Sequence, residues 1–120
     1  MSQILIVDDS HIIHRTLGLI VRKMGHETLH AENGDKALEV ISTQTVELAI
    51  IDMNMPGMNG LSLVKHIRSN EASFPIVFLT GSGRESDHKS ALDLGVEGFL
   101  NKPVSSHQLR ETINQLLSPS

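Results

Sequence analysis

Short apolar runs alternate along this chain with longer stretches in which apolar residues recur at helical spacing. Ile4-Leu5-Ile6-Val7 is the first run, and Asp8-Asp9 ends it. Ile13, Leu17, Ile20, Val21 and Met24 then fall at i, i+4, i+7, i+8 and i+11, which puts one apolar face on a helix closed by Gly25. Residues 28–31 read as a weak strand. Asn33-Gly34 breaks the chain before a short helix carrying Ala37, Leu38 and Ile41, and Leu48-Ala49-Ile50-Ile51 is the second strong run, ended by Asp52. Residues 53–60 have the composition of a turn-rich loop, after which Leu61, Val64 and Ile67 resume helical spacing. Pro75 opens the run Ile76-Val77-Phe78-Leu79, which ends at Thr80. A fourth helix is expected over about 85–94 and a last strand over 98–101. The final helix starts at a Ser105-x-x-Gln108 capping box and buries Leu109, Ile113, Leu116 and Leu117.

The order βαβαβαβαβα specifies an α/β fold, a doubly wound parallel sheet with right-handed crossovers and helices on both faces. Runs that are apolar at every position belong to strands covered on both sides, so strands one, three and four are the central ones. In such sheets ligands bind beyond the carboxyl ends of the strands, where the strand order reverses. That rule selects Asp8, Asp9, Asp52, Thr80 and Lys102, each at or just past the end of an apolar run.

Composition narrows the possibilities. At 120 residues the chain is expected to be one domain, 1–120, with 118–120 as a frayed tail, and at this size it can bury a core without disulfides or structural metal. It has no cysteine, which excludes disulfide scaffolds, zinc ribbons, iron–sulfur sites and thiol chemistry. A net charge of −4 argues against a surface that neutralises many phosphates, and 2% aromatics removes base-stacking platforms, so no nucleic-acid partner is expected. The amino-terminal apolar run is too short to span a bilayer and has no basic segment before it, so no membrane insertion is expected and the default is a soluble cytoplasmic protein.

Three carboxylates gathered at one sheet edge repel one another unless a cation compensates them, and hard oxygen ligands favour Mg²⁺. Such an ion takes one or two protein carboxylates together with phosphate oxygens. Thr80 can donate its hydroxyl to a phosphoryl oxygen and Lys102 can supply a point charge, so Asp52 is the natural nucleophile of a phosphoryl transfer. Taken singly, each residue has an ordinary reading. Asp8 and Asp9 can be acids at the positive end of the first helix with Ser10 as its cap, Asp52 can open a loop, Thr80 can end a strand and Lys102 can be solvated. Four separate strand ends that each present the residue type phosphoryl chemistry needs make those readings hard to hold together.

These residues resemble the receiver domains of bacterial response regulators, similar in extent to the stand-alone chemotaxis type. Val7-Asp8-Asp9-Ser10 resembles the acidic pair after the first strand, Asp52-Met53-Asn54-Met55-Pro56-Gly57-Met58-Asn59-Gly60 the phosphoacceptor loop, and Thr80 and Lys102-Pro103 complete the set. The resemblance covers essentially the whole chain. It implies the flavodoxin-like strand order 2-1-3-4-5 and a phosphoryl group accepted on Asp52 from a histidine kinase or histidine phosphotransfer protein. Mg²⁺, or Mn²⁺ in its place, would be held by Asp9, Asp52, the Asn54 main-chain carbonyl and, through water, Asp8. It further implies a cis peptide before Pro103 and a switch in which Thr80 moves toward the phosphoryl group and Phe99 follows. Phe99 stands where the commoner residue is tyrosine, so it can report only by packing. The expected output is a changed face formed by the fourth helix, last strand and last helix, read by a downstream target protein, with no output domain on this chain. Because 95–98 and Val104 lack features of regulators that dimerise through that face, a monomer is expected.

Two rival functions make different predictions. A Mg²⁺-dependent phosphohydrolase would turn over a phosphate ester, but Asn54 stands where such enzymes place a second aspartate. A phosphorylation-independent docking module would be indifferent to Asp52→Asn. Other signals are set aside. Thr80-Gly81-Ser82-Gly83 follows a strand but Ser86 replaces the third glycine of a dinucleotide loop, and small residues there keep a phosphorylation pocket open. His26 and His30 on an extended segment lie about 13 Å apart, too far for one ion. His11 and His14 share a helix face and read as a solvated pair, while Met53, Met55 and Met58 pack the loop or meet a partner.

Overall fold

A computed structural model of the protein describes residues 2–55, 57–70, 72–81, 89 and 91–117. Among these, five strands form one parallel sheet: β1 (Gln3–Val7), β2 (Glu27–Ala31), β3 (Leu48–Asp52), β4 (Ile76–Thr80) and β5 (Gly98–Asn101), in the order β2-β1-β3-β4-β5. The helices between them are α1 (His11–Lys23), α2 (Gly34–Thr43) and α3 (Gly60–Ser69), and the C-terminal helix spans Ser106–Leu117. The expected strand order is therefore found. Residues 91–93 are helical, whereas most of the helix expected over 85–94 lies outside the described residues, as do Ser82, Gly83 and the tail 118–120.

Strict alternation along each strand divides the core into two. Leu5, Val7, Ala49, Ile51, Ile76 and Phe78 point to the face covered by α2 and α3, where Ala37, Leu63, Val64 and Ile67 meet them. Ile4, Ile6, Leu48, Ile50, Val77 and Leu79 point to the other face, against Leu17 and Val21 of α1 and Leu109 and Ile113 of the C-terminal helix. This two-sided cover is why β3 and β4 are buried at every position while the edge strands β2 and β5 are not. Truncating Ile50 to alanine would cost about 2–5 kcal/mol.

The helices start where their caps dictate. Ser10 Oγ accepts from Ile13 N–H, Asn33 Oδ1 from Lys36 N–H and Asn59 Oδ1 from Ser62 N–H, and Gln108 N–H reaches Ser105 Oγ at 3.3 Å. Gly25, at φ +92, takes the left-handed conformation that ends α1. In two places the buried faces differ from the expectation. The fully buried α3 stripe is Leu63, Val64 and Ile67, with Leu61 partly buried and packed against the rim of the same core. Leu116 and Leu117, expected to be buried, are half-buried and pack against the margin of the core whose interior holds Leu109 and Ile113.

At the amino-terminal edge of the sheet, Arg68 donates to the carbonyls of Ala72 and Phe74 and pairs with Glu97 at 2.8 Å. Glu97 Oε2 in turn accepts from Ile76 N–H. This ties the end of α3 to the start of β4 and β5, so the opposite edge is left for chemistry. No helix among the described residues is long and apolar enough to cross a membrane.

Candidate functional site

At the carboxyl edge the strands end at different residues but deliver their polar groups to one place. Asp8, just past β1, is fully buried; its N–H donates to Ala31 O at 3.2 Å and its Oδ1 accepts from Ser10 N–H at 2.9 Å. Asp52 is the last residue of β3 and is buried, and Asn54 N–H donates to its Oδ1 at 3.2 Å. Asp9 is exposed beside them. Carboxylate oxygens of Asp8, Asp9 and Asp52 all lie within 4.8 Å of one another.

Lys102 enters this cluster from just past β5. Its Nζ lies 3.1 Å from Asp8 Oδ2 and 3.4 Å from Asp52 Oδ1. The Lys102–Pro103 peptide is cis, and Lys102 N–H donates to Thr80 O at 2.9 Å. Thr80, the last residue of β4, is fully buried and sits in register with Asn101. Phe99, on β5, is half-buried and packs against Phe78, with ring centroids 6.5 Å apart. Asn54 is exposed and supplies its N–H rather than its side chain to Asp52.

The electrostatics follow from that enclosure. Burial first, and the Asp8 charge after it, raise the Asp52 carboxyl above its ordinary range against the opposing pull of Asn54 N–H and Lys102. Burial alone would lower the Lys102 ammonium, but its contact with Asp8 and the charges of Asp52 and Asp8 outweigh this and hold it above its usual value. Two of the three clustered carboxylates pair with this one ammonium and Asp9 adds a third, so the cluster carries more acidic groups than basic ones. Among the described residues, Asp8 Oδ2 is buried and is met by the Lys102 ammonium. A set of hard oxygen donors, buried at Asp8 and Asp52 and open to solvent at Asp9, fits a small divalent cation of the Mg²⁺ type that keeps part of its water.

Sequence reasoning overlooked two supports of this site. Ser10, read as a helix cap, also orients Asp8 through its main-chain N–H. Gly60 lets α3 approach closely, because a Cβ there would stand 2.7 Å from Asp52 O, 2.9 Å from Met53 Cα and 2.9 Å from Phe78 Cε1. The Asn59-Gly60 pair signalled a turn, and nothing local signalled what that glycine would touch.

Comparison with known proteins agrees with this geometry. The family model described as response regulator receiver domain matches residues 4–114. Regulator of RpoS from Escherichia coli K12 is 39% identical over 120 residues, covering 99% of this chain and 36% of that protein. Aerobic respiration control protein ArcA of the same strain is 33% identical over 115 residues, covering 96% of this chain and 48% of that protein. The chain thus spans a third to a half of the curated relatives it matches. Among solved structures, the Vibrio cholerae chemotaxis protein CheY4 superposes with a TM-score of 0.93 at 29% identity, covering 98% of this chain and 99% of that one. A response regulator receiver protein from Pseudomonas putida gives 0.90 at 28% identity, covering 95% and 96%.

Proposed function

Taking as premise that the chain belongs to the response regulator receiver domain family, we propose that residues 1–120 act as one phosphoacceptor switch with Asp52 as the acceptor. The observation that supports this reading best is the meeting of Asp8, Asp9, Asp52 and Lys102 at one sheet edge. The donor in this reading is a histidine kinase or a histidine phosphotransfer protein. A carboxylate oxygen of Asp52 bonds to phosphorus as the P–N bond of a phosphohistidine breaks, and the leaving imidazole carries away the electron pair and takes up a proton. Asn54 N–H and Lys102 Nζ both touch Oδ1, so they hold the carboxylate in one orientation and favour Oδ2 as the attacking atom.

Asp9, Asp52 and the main-chain carbonyl of Asn54 are the groups proposed to hold Mg²⁺, with Asp8 behind them. When bound, the ion supplies positive charge to phosphoryl oxygens. Lys102 would supply a second positive charge, already poised by its two ion pairs. Thr80, at the end of β4, is proposed to take a phosphoryl oxygen on its hydroxyl. Its movement would alter the packing of Phe99 on the neighbouring strand, and so the surface offered to a downstream target protein. Turnover of a separate substrate has no place in this reading.

Intact-protein mass after incubation with Mg²⁺ and acetyl phosphate tests the proposal. One phosphoryl group should appear on the wild type, be lost with time and on chelation, and be absent from Asp52→Asn. An adduct on neither protein would favour a docking module, and rapid consumption of donor over many cycles would favour a phosphohydrolase. Phe99→Ala should keep the adduct and weaken target binding; equal binding by both phosphorylated proteins would remove Phe99 from the switch.

A further inference from the structure

Two histidines that sequence spacing kept apart meet between α1 and β2. His14, in the first turn of α1, and His30, near the end of β2, bring their Nδ1 atoms to 2.7 Å, with ring centroids 4.8 Å apart and planes at 61°. Their other nitrogens are anchored. His14 Nε2 lies 2.7 Å from the main-chain oxygen of Asp8, which can only accept, so Nε2 carries the proton and Nδ1 a lone pair. His30 Nδ1–H therefore donates to His14 Nδ1, and His30 Nε2 accepts from the Thr28 hydroxyl at 3.1 Å. Arg22 Nη1 donates to the same hydroxyl oxygen at 3.3 Å.

We propose that His14 and His30 are the paired nitrogen ligands of a site for a borderline divalent transition-metal ion such as Zn²⁺. A single proton lies between the two facing nitrogens. If His30 passes that proton to its own Nε2, with Thr28 Oγ1 now accepting, both Nδ1 lone pairs point at one position and no charge is left over. Zn–N bonds of about 2.0–2.1 Å at a tetrahedral angle set the nitrogens roughly 3.3 Å apart, so the rings need to part by roughly 0.6 Å. His30 is exposed on an edge strand, so its ring is not locked in place by the core.

The surroundings suit such an ion. α1 passes close beside the pair at Gly18, where a Cβ would stand 3.0 Å from Arg22 Nη1 and in ordinary contact, at 3.5 Å, with His30 Cε1. The pair lines an open recess of about 370 Å³ together with His11, Arg15, Arg22 and Glu32, and its openness leaves the remaining coordination positions to water. Two guanidinium groups disfavour a cation held by charge alone, such as Mg²⁺. An ion held by coordinate bonds from neutral imidazole tolerates them better. The bond from His14 Nε2–H to the Asp8 carbonyl is also the outer contact that fixes the orientation of a metal-bound histidine.

The test is calorimetric titration of the full chain with Zn²⁺ in saturating Mg²⁺, with imidazole NMR resonances followed in parallel. One Zn²⁺ should bind, with the His14 and His30 resonances shifting. Affinity should fall about tenfold or more in His30→Gln and in His14→Gln, and stay unchanged in His66→Gln and Asp52→Asn. His30→Gln alters only an exposed edge-strand side chain, so its result stands even if His14→Gln folds poorly. Wild-type affinity in His30→Gln, loss of binding in Asp52→Asn, or the absence of a stoichiometric event would each overturn the proposal.

Discussion

Asp8 borders two chemically different neighbourhoods. Its carboxylate takes the Lys102 ammonium at 3.1 Å and the Ser10 N–H at 2.9 Å inside a cluster of oxygen donors with more acidic groups than basic ones. Its main-chain oxygen takes the His14 ring at 2.7 Å, at one end of a pair of neutral nitrogen donors. Charge density suits the first neighbourhood to a hard cation and a phosphoryl group, and nitrogen lone pairs suit the second to a softer ion. They also differ in stiffness. The acidic cluster stands on the ends of fully covered strands, whereas His30 stands on an exposed edge strand with room to move.

The largest expected effect separates the two outright. Asp52→Asn should abolish the phosphoryl adduct in the mass assay while Zn²⁺ binding persists; loss of both would make them one site. Lys102→Ala should slow phosphoryl uptake by about 10²–10³-fold, because it removes a charge poised for the developing oxyanion, and should leave Zn²⁺ affinity alone. Quenched-flow or time-resolved mass measurement reads the first and calorimetry the second.

Gly60→Ala forces a Cβ into the β3 backbone and should cost about 1–3 kcal/mol in urea unfolding. It should disturb Asp52 and spare the histidines. The pH dependence of stability gives a smaller and signed effect. The Asp52 carboxyl is raised above its ordinary value of 3.8, so the folded state binds that proton more tightly than the unfolded one. Its stabilising contribution is complete below the unfolded value and lost as pH rises through the folded one. Without Mg²⁺, Asp52→Asn should therefore melt a few degrees above wild type at neutral pH, with the gap closing in acid. The smallest effect is that of Ser10→Ala, about 0.5–1 kcal/mol in thermal unfolding, since its Oγ caps α1 over a long 3.5 Å bond while its N–H to Asp8 is kept.

How much of this was legible beforehand depends on how local each feature is. The run Ile76-Val77-Phe78-Leu79 announced a central strand because both faces of β4 are covered, and the two-sided alternation of β1 and β3 says the same. Asp52 and Thr80 were expected at or just past the ends of their apolar runs and are the last residues of β3 and β4. The parallel ladder continues one step further, through Met53 N–H to Leu79 O and Lys102 N–H to Thr80 O. On α3, spacing picked out Leu61, Val64 and Ile67, and the structure adds Leu63 as a fully buried residue with Leu61 at the rim.

The sequence by itself determined which segments are strands and helices, which strands lie inside, and which polar residues stand at the ligand-binding edge. These follow from apolar periodicity and caps, interactions within a few residues of one another. Only the tertiary structure decided that Asp8 is enclosed, that Lys102 reaches both aspartates, and that His14 pairs with His30 rather than with His11. Those distances join side chains on separate elements, so they depend on how α1 seats against β2 and how β5 registers on β4. Burial of the whole core sets that packing, and the spacing of no single segment contains it.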